Sequence, residues 1–61
     1  MADFPRPNNY ERNNVGLIVN GTGGDFFAEL LRLIAKADSK NRELIRQVFP
    51  HHVACYEAWL K

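Results

Sequence analysis

His51, His52 and Cys55 form the chain's densest cluster of side chains able to ligate a metal or attack a substrate. His51 and Cys55 lie four residues apart, so on a helix they share a face. Imidazole and thiolate at that spacing make one edge of a metal site. Structural zinc takes four ligands, and the chain has no second Cys/His pair, so carboxylates or another chain would have to complete the set. A cysteine nucleophile needs a base in contact, a third group to orient it, and a pocket. A helical chain of 61 residues has little room for a pocket of roughly a few hundred Å³. The cluster therefore reads as two polar residues opening a helix and a small thiol filling a gap. No catalytic residue, cofactor or metal is expected, and the chain is read as a non-enzyme.

A second arrangement mimics a phosphate-binding loop: Val15–Val19, then Gly21-Thr22-Gly23-Gly24, then a helix. Free N–H groups at a helix start attract anions. Here no Gly-Lys-Ser/Thr ending follows, G-x-G-x-x-G is absent, and Asp25 puts negative charge where a phosphate would sit. These glycines read as a joint and a helix entry.

Arg32/Lys36 and Arg42/Arg46 are like-charged pairs at i, i+4, each unfavourable by a few tenths of a kcal/mol in an isolated helix. Pointing the same way, they would make a basic patch for phosphates or an acidic surface. A net charge of only +1 favours an ordinary solvated face. Nucleic-acid binding through Arg32, Lys36, Arg42 and Arg46 is the alternative reading. Among the apolar residues, Phe26, Leu33 and Trp59 are the expected protein contact surface, since aromatic residues concentrate at binding hot spots.

The elements that must position these residues follow from size and periodicity. A chain this short forms one domain and buries only ~60% of its unfolded surface, so its stability is marginal. One cysteine allows no internal disulfide and points to a reducing compartment, so a cytoplasmic setting is expected. Residues 1–6 lack an apolar signal core, and the most apolar stretch, Phe26–Ala37, is interrupted by Glu29, Arg32 and Lys36. It is also short of the ~20 residues a membrane span needs, so no membrane partner is expected.

Residues 1–14 read as a flexible arm: Pro5 and Pro7 restrict the backbone, and Asn8, Asn9, Asn13 and Asn14 favour turns. Residues 15–24 read as a short extended segment, because Val15-Gly16-Leu17-Ile18-Val19 is β-prone, followed by a glycine-rich joint. It would lie over the helices or pair with a second copy. Residues 25–61 read as the helical domain, with helices at about 25–37, 39–49 and 51–60. Phe27, Leu30, Leu31 and Ile34 follow helical spacing, and Phe26, Leu33 and Ala37 widen that stripe beyond what one packing partner requires. Asp38 or Ser39 caps the next helix, whose apolar face is Leu44, Ile45, Val48 and Phe49; Pro50 separates it from the last. The expected core also holds Val53, Tyr56 and Leu60.

Lys36-Ala37-Asp38, Asn41-Arg42, Leu44, Phe49-Pro50, Val53, Tyr56 and Trp59 together resemble small uncharacterised proteins of phage and prophage genomes. The resemblance covers only the C-terminal helical half. It implies a bacterial or phage cytoplasm and no particular activity. The sequence thus points to a mainly α, three-helix protein with an N-terminal arm, acting as a self-associating protein–protein interaction module whose partner it does not name.

Overall fold

The computed structural model describes residues 3–61; Met1 and Ala2, the first two residues of the expected arm, lie outside them. The described chain is mainly helical and contains no strand. Five helices follow one another: α1 Asn9–Asn13, α2 Val15–Val19, α3 Phe26–Lys36, α4 Ser39–Val48 and α5 Pro50–Leu60. None is long and apolar enough to cross a membrane.

Two departures from the sequence reading lie at the N-terminal end. The expected arm contains α1, opened by a reciprocal cap. The Asn8 side chain accepts from the Glu11 backbone N–H at 2.8 Å, and Glu11 Oε1 accepts from the Asn8 backbone N–H at 2.9 Å. Arg12 closes the same turn by donating to the Pro7 carbonyl at 2.7 Å.

The expected extended segment is α2. With no partner strand, a helix satisfies this backbone locally, and it places Val15, Ile18 and Val19 at i, i+3, i+4 toward the core. Tertiary burial overrides the β-preference of valine and isoleucine. The helix ends in a Schellman motif: the Gly21 N–H donates to the Ile18 carbonyl and the Thr22 N–H to the Leu17 carbonyl, each at 3.0 Å. Gly21 sits at φ +118°, which a residue with a Cβ rarely adopts.

The Arg32 guanidinium then ties α2 to α3. It donates to the carbonyls of Ile18 at 2.9 Å, Thr22 at 3.2 Å and Gly23 at 2.8 Å. A cation at a helix C-terminus also meets the favourable end of the helix dipole.

The core is built where α2, α3 and α5 meet. Val15, Ile18, Ala28, Leu30, Leu31, Ile34, Val53 and Tyr56 are buried there, with Phe27, Ile45 and Phe49 half-buried against them. Trp59 lies on α2 at Gly16, where an added Cβ would come within 3.3 Å of the indole. Three residues expected in the core, Leu44, Val48 and Leu60, are exposed instead. Val15 and Ile18 join the core because the helical turn of α2 brings both onto its buried face.

Asp38 caps α4 by accepting from the Asn41 N–H at 2.8 Å, and Pro50 opens α5 with only Phe49 between the two helices. α4 packs chiefly on α5. Polar contacts hold them: Arg46 makes a two-pronged pair with Glu57 at 3.0 and 2.6 Å, and Arg42 lies 5.3 Å from the centre of the Tyr56 ring.

A paired substitution separates backbone from packing. Neither Gly21 nor Gly24 has an atom within 4 Å of an added Cβ, and only Gly21 has positive φ. Gly21→Ala should destabilise by about 1–2 kcal/mol, whereas Gly24→Ala should be neutral or stabilise by up to about 1 kcal/mol. Urea denaturation of both variants reads the difference; equal effects would refute the Schellman assignment.

Candidate functional site

The structure leaves a run of apolar side chains in solvent along α3 and α4. Phe26 is 64% exposed, Leu33 54%, Leu44 56% and Val48 54%. No residue of α4 is buried. Between the two helices lies an open groove of about 590 Å³ whose apolar lining is Phe26, Leu30, Leu33, Ile45, Val48 and Phe49. Glu29, Arg32 and Lys36 line its polar side. A second cleft, about 380 Å³, continues toward the α3–α4 corner along Leu33, Ala37, Leu44 and Ile45.

The groove exists because α3 carries more apolar surface than the small core absorbs. Ala28, Leu31 and Ile34 face inward, while Phe26 and Leu33 fall on the outer flank of the same stripe. At its mouth the Phe26 ring meets Phe27 edge-on at 5.2 Å and lies 6.0 Å from Phe49.

Of the residues expected at a protein contact, Phe26 and Leu33 come together in this groove. Trp59 does not join them. It packs near Tyr56 at 5.9 Å and lines a separate cleft with Arg6, Pro7, Arg12, His51 and Cys55. Leu44 and Val48, expected in the core, line this exposed face instead. The over-wide stripe of Phe26, Leu33 and Ala37 implied apolar surface in excess of a small core, but it carried no signal for Leu44 and Val48 on the next helix.

Three of the four cations of the alternative phosphate-binding reading are engaged by partners within the chain. Arg32 is held by three carbonyls, Arg46 by Glu57 and Glu43, and Arg42 lies over Tyr56 and 4.0 Å from Glu57. The bonds to Glu57 and then Glu43 raise the Arg46 pKa above its ordinary value, and the bond to Arg46 holds the Glu57 carboxyl below the usual carboxylate range. Lys36 makes no side-chain hydrogen bond or ion pair among the described residues.

The histidine–cysteine cluster is split by burial. His52 is fully buried, stacked on Phe27 at 4.8 Å with Phe49 edge-on at 6.1 Å. Its Nε2 lies 3.9 Å from Glu11 Oε1, outside hydrogen-bond reach, and neither ring nitrogen has a hydrogen-bond partner among the described residues. Burial lowers the His52 pKa; Glu11 opposes that shift, and His51 adds to it. Burial pushes the Cys55 thiol up, against the pull of Arg12, so the thiol stays protonated at neutral pH. Among the described residues no three His, Cys, Asp or Glu side chains are grouped closely enough to hold a metal ion. Comparison with protein-family models, with curated proteins and with solved structures finds no match to this chain.

The His52 pKa has a consequence for stability. The unfolded chain binds this proton near pH 6.5, and the folded chain binds it only at lower pH. His52 therefore leaves stability intact above about 6.5 and removes it as pH falls below, by at most about 1.4 kcal/mol per pH unit. Urea midpoints of the wild type should drop between pH 7.5 and 5.5, and those of His52→Leu should drop less. An equal drop in both proteins would exclude His52 as the source.

Proposed function

We infer that the protein is a non-catalytic protein–protein interaction module that docks through the groove between α3 and α4. One observation carries this reading: Phe26, Leu33, Leu44 and Val48 are all more than half exposed on one continuous face. A row of large apolar side chains bordered by charges is the common form of a docking surface. It suits recognition of an amphipathic helix laid into a groove. Phe26 supplies the aromatic anchor, and Leu33 and Val48 supply the two walls.

The phosphate-binding alternative draws less support. Arg32, Arg42 and Arg46 are committed to partners inside the chain, and a net charge of +1 steers anions weakly. The cytoplasmic setting belongs to the same proposal and rests on the single half-buried cysteine.

Capture from a bacterial lysate, with and without nuclease, tests the reading. The tagged wild-type chain should retain protein, counting any untagged copies of itself, after nuclease treatment and at high salt. Leu33→Asp should lose it while keeping its circular dichroism, because Leu33 lies outside the core. Retention that vanishes with nuclease would transfer the function to the cations. Retention untouched by Leu33→Asp would remove the groove from it.

A further inference from the structure

We propose that the occupant of the α3–α4 groove is a second copy of this chain, docked about a two-fold axis that crosses α3 near Leu33 with the two α3 helices antiparallel. The proposal rests on the interaction-module reading and names its partner.

The charges of α3 are arranged for self-pairing. Glu29 and Lys36 are exposed, opposite in sign and seven residues apart. Two helical turns separate them, so they stand on the same rim of the Leu33 stripe. Neither has an ion-pair or hydrogen-bond partner among the described residues. When a helix pairs antiparallel with its own copy, a rim meets the same rim in reverse order. Glu29 then faces the partner's Lys36, and Lys36 faces the partner's Glu29. The midpoint of the pair falls between Arg32 and Leu33, which sets Leu33 against the partner's Leu33 at the axis. A parallel arrangement would instead bring each rim against the partner's opposite rim, so Glu29 and Lys36 would not meet.

The shape fits the same operator. Phe26 lies at one end of α3, roughly 10 Å from that midpoint at 1.5 Å per residue. The same distance on the other side reaches the α3–α4 corner, where the cleft lined by Leu33, Ala37, Leu44 and Ile45 opens. Each Phe26 thus meets the partner's corner cleft. A two-fold contact places every such interaction twice, using one surface patch on both copies. Arg6 and Pro7 lie in the separate cleft with His51 and Trp59, away from the groove. A second copy also covers the Leu44 and Val48 side of α4, which its own chain leaves exposed.

Sedimentation equilibrium on the purified full chain, with charge-reversed variants, tests this. The wild type should be dimeric at high micromolar concentration. Glu29→Lys alone and Lys36→Glu alone should each weaken the dimer about tenfold, because both rim pairs become repulsive. The double variant should regain it. An equimolar mixture of the two single variants should also regain it as a mixed dimer, a rescue that misfolding would not give. A wild type that sediments as one chain, or as more than two, would overturn the proposal, as would single variants that dimerise normally or a mixture that fails to recover. A monomer that still captures protein in a Leu33-dependent way would leave the interaction module standing and remove only the second copy. A dimer indifferent to Leu33→Asp would place the self-contact on another face and also overturn it.

Discussion

The Arg32 guanidinium is the interaction on which the arrangement of this chain depends. Its three carbonyl acceptors come from the last turn of α2 and from the glycine loop that follows. The Ile18 carbonyl also accepts from the Gly21 N–H, and the Thr22 and Gly23 carbonyls lie in the loop beyond α2; the cation gathers all three and fixes where α2 lies on α3. With α2 so placed, Val15 and Ile18 reach Leu31 and Ile34, and the core closes. The same commitment turns the outer flank of α3 away from α2, leaving Phe26, Leu33 and Lys36 facing α4.

A second set of cations settles the other side of the groove. Arg42 and Arg46 are spent on Glu57 and Tyr56 of α5. α4 is therefore held by these polar contacts and by Ile45 half-buried against the core, while Leu44 and Val48 stay in view. A more ordinary small domain would fold α4 flat onto α3 and bury Leu44 and Val48. Here the core is already filled by α2, α3 and α5, with His52 and Glu11 occupying interior volume.

Much of this was legible from residue order, and the limits have physical causes. The α3 stripe, the Asp38 cap and the Pro50 boundary are local signals, and all three are present in the structure. Val15–Val19 was not legible because its composition favours a strand; only the absence of a pairing strand and the Asn20-Gly21 terminus spoke for a helix. An Asn-Gly pair after an apolar run ends a helix as readily as it turns a hairpin. For the candidate site, Phe26 and Leu33 could be found because they exceeded the needs of one face. Leu44 and Val48 could not be told from core residues, since periodicity reports which side of a helix is apolar and not what lies opposite. The roles of Arg32, Arg42 and Arg46 depended chiefly on partners 9 to 15 residues away, beyond the reach of i, i+4 reasoning.

The bare α4 divides the molecule into two tiers of cooperativity. α3 cannot unwind without exposing Leu31 and Ile34, both fully buried, so its amides open only when the whole chain unfolds. α4 has no fully buried side chain, and only Ile45 packs half-buried against the core. Its turns can fray and reform while the other helices stay in register, held at one end by Asp38 and along one edge by Glu57. The wall of the groove is thus the softest helix of the last three, and the chain carries a compliant jaw opposite a rigid one.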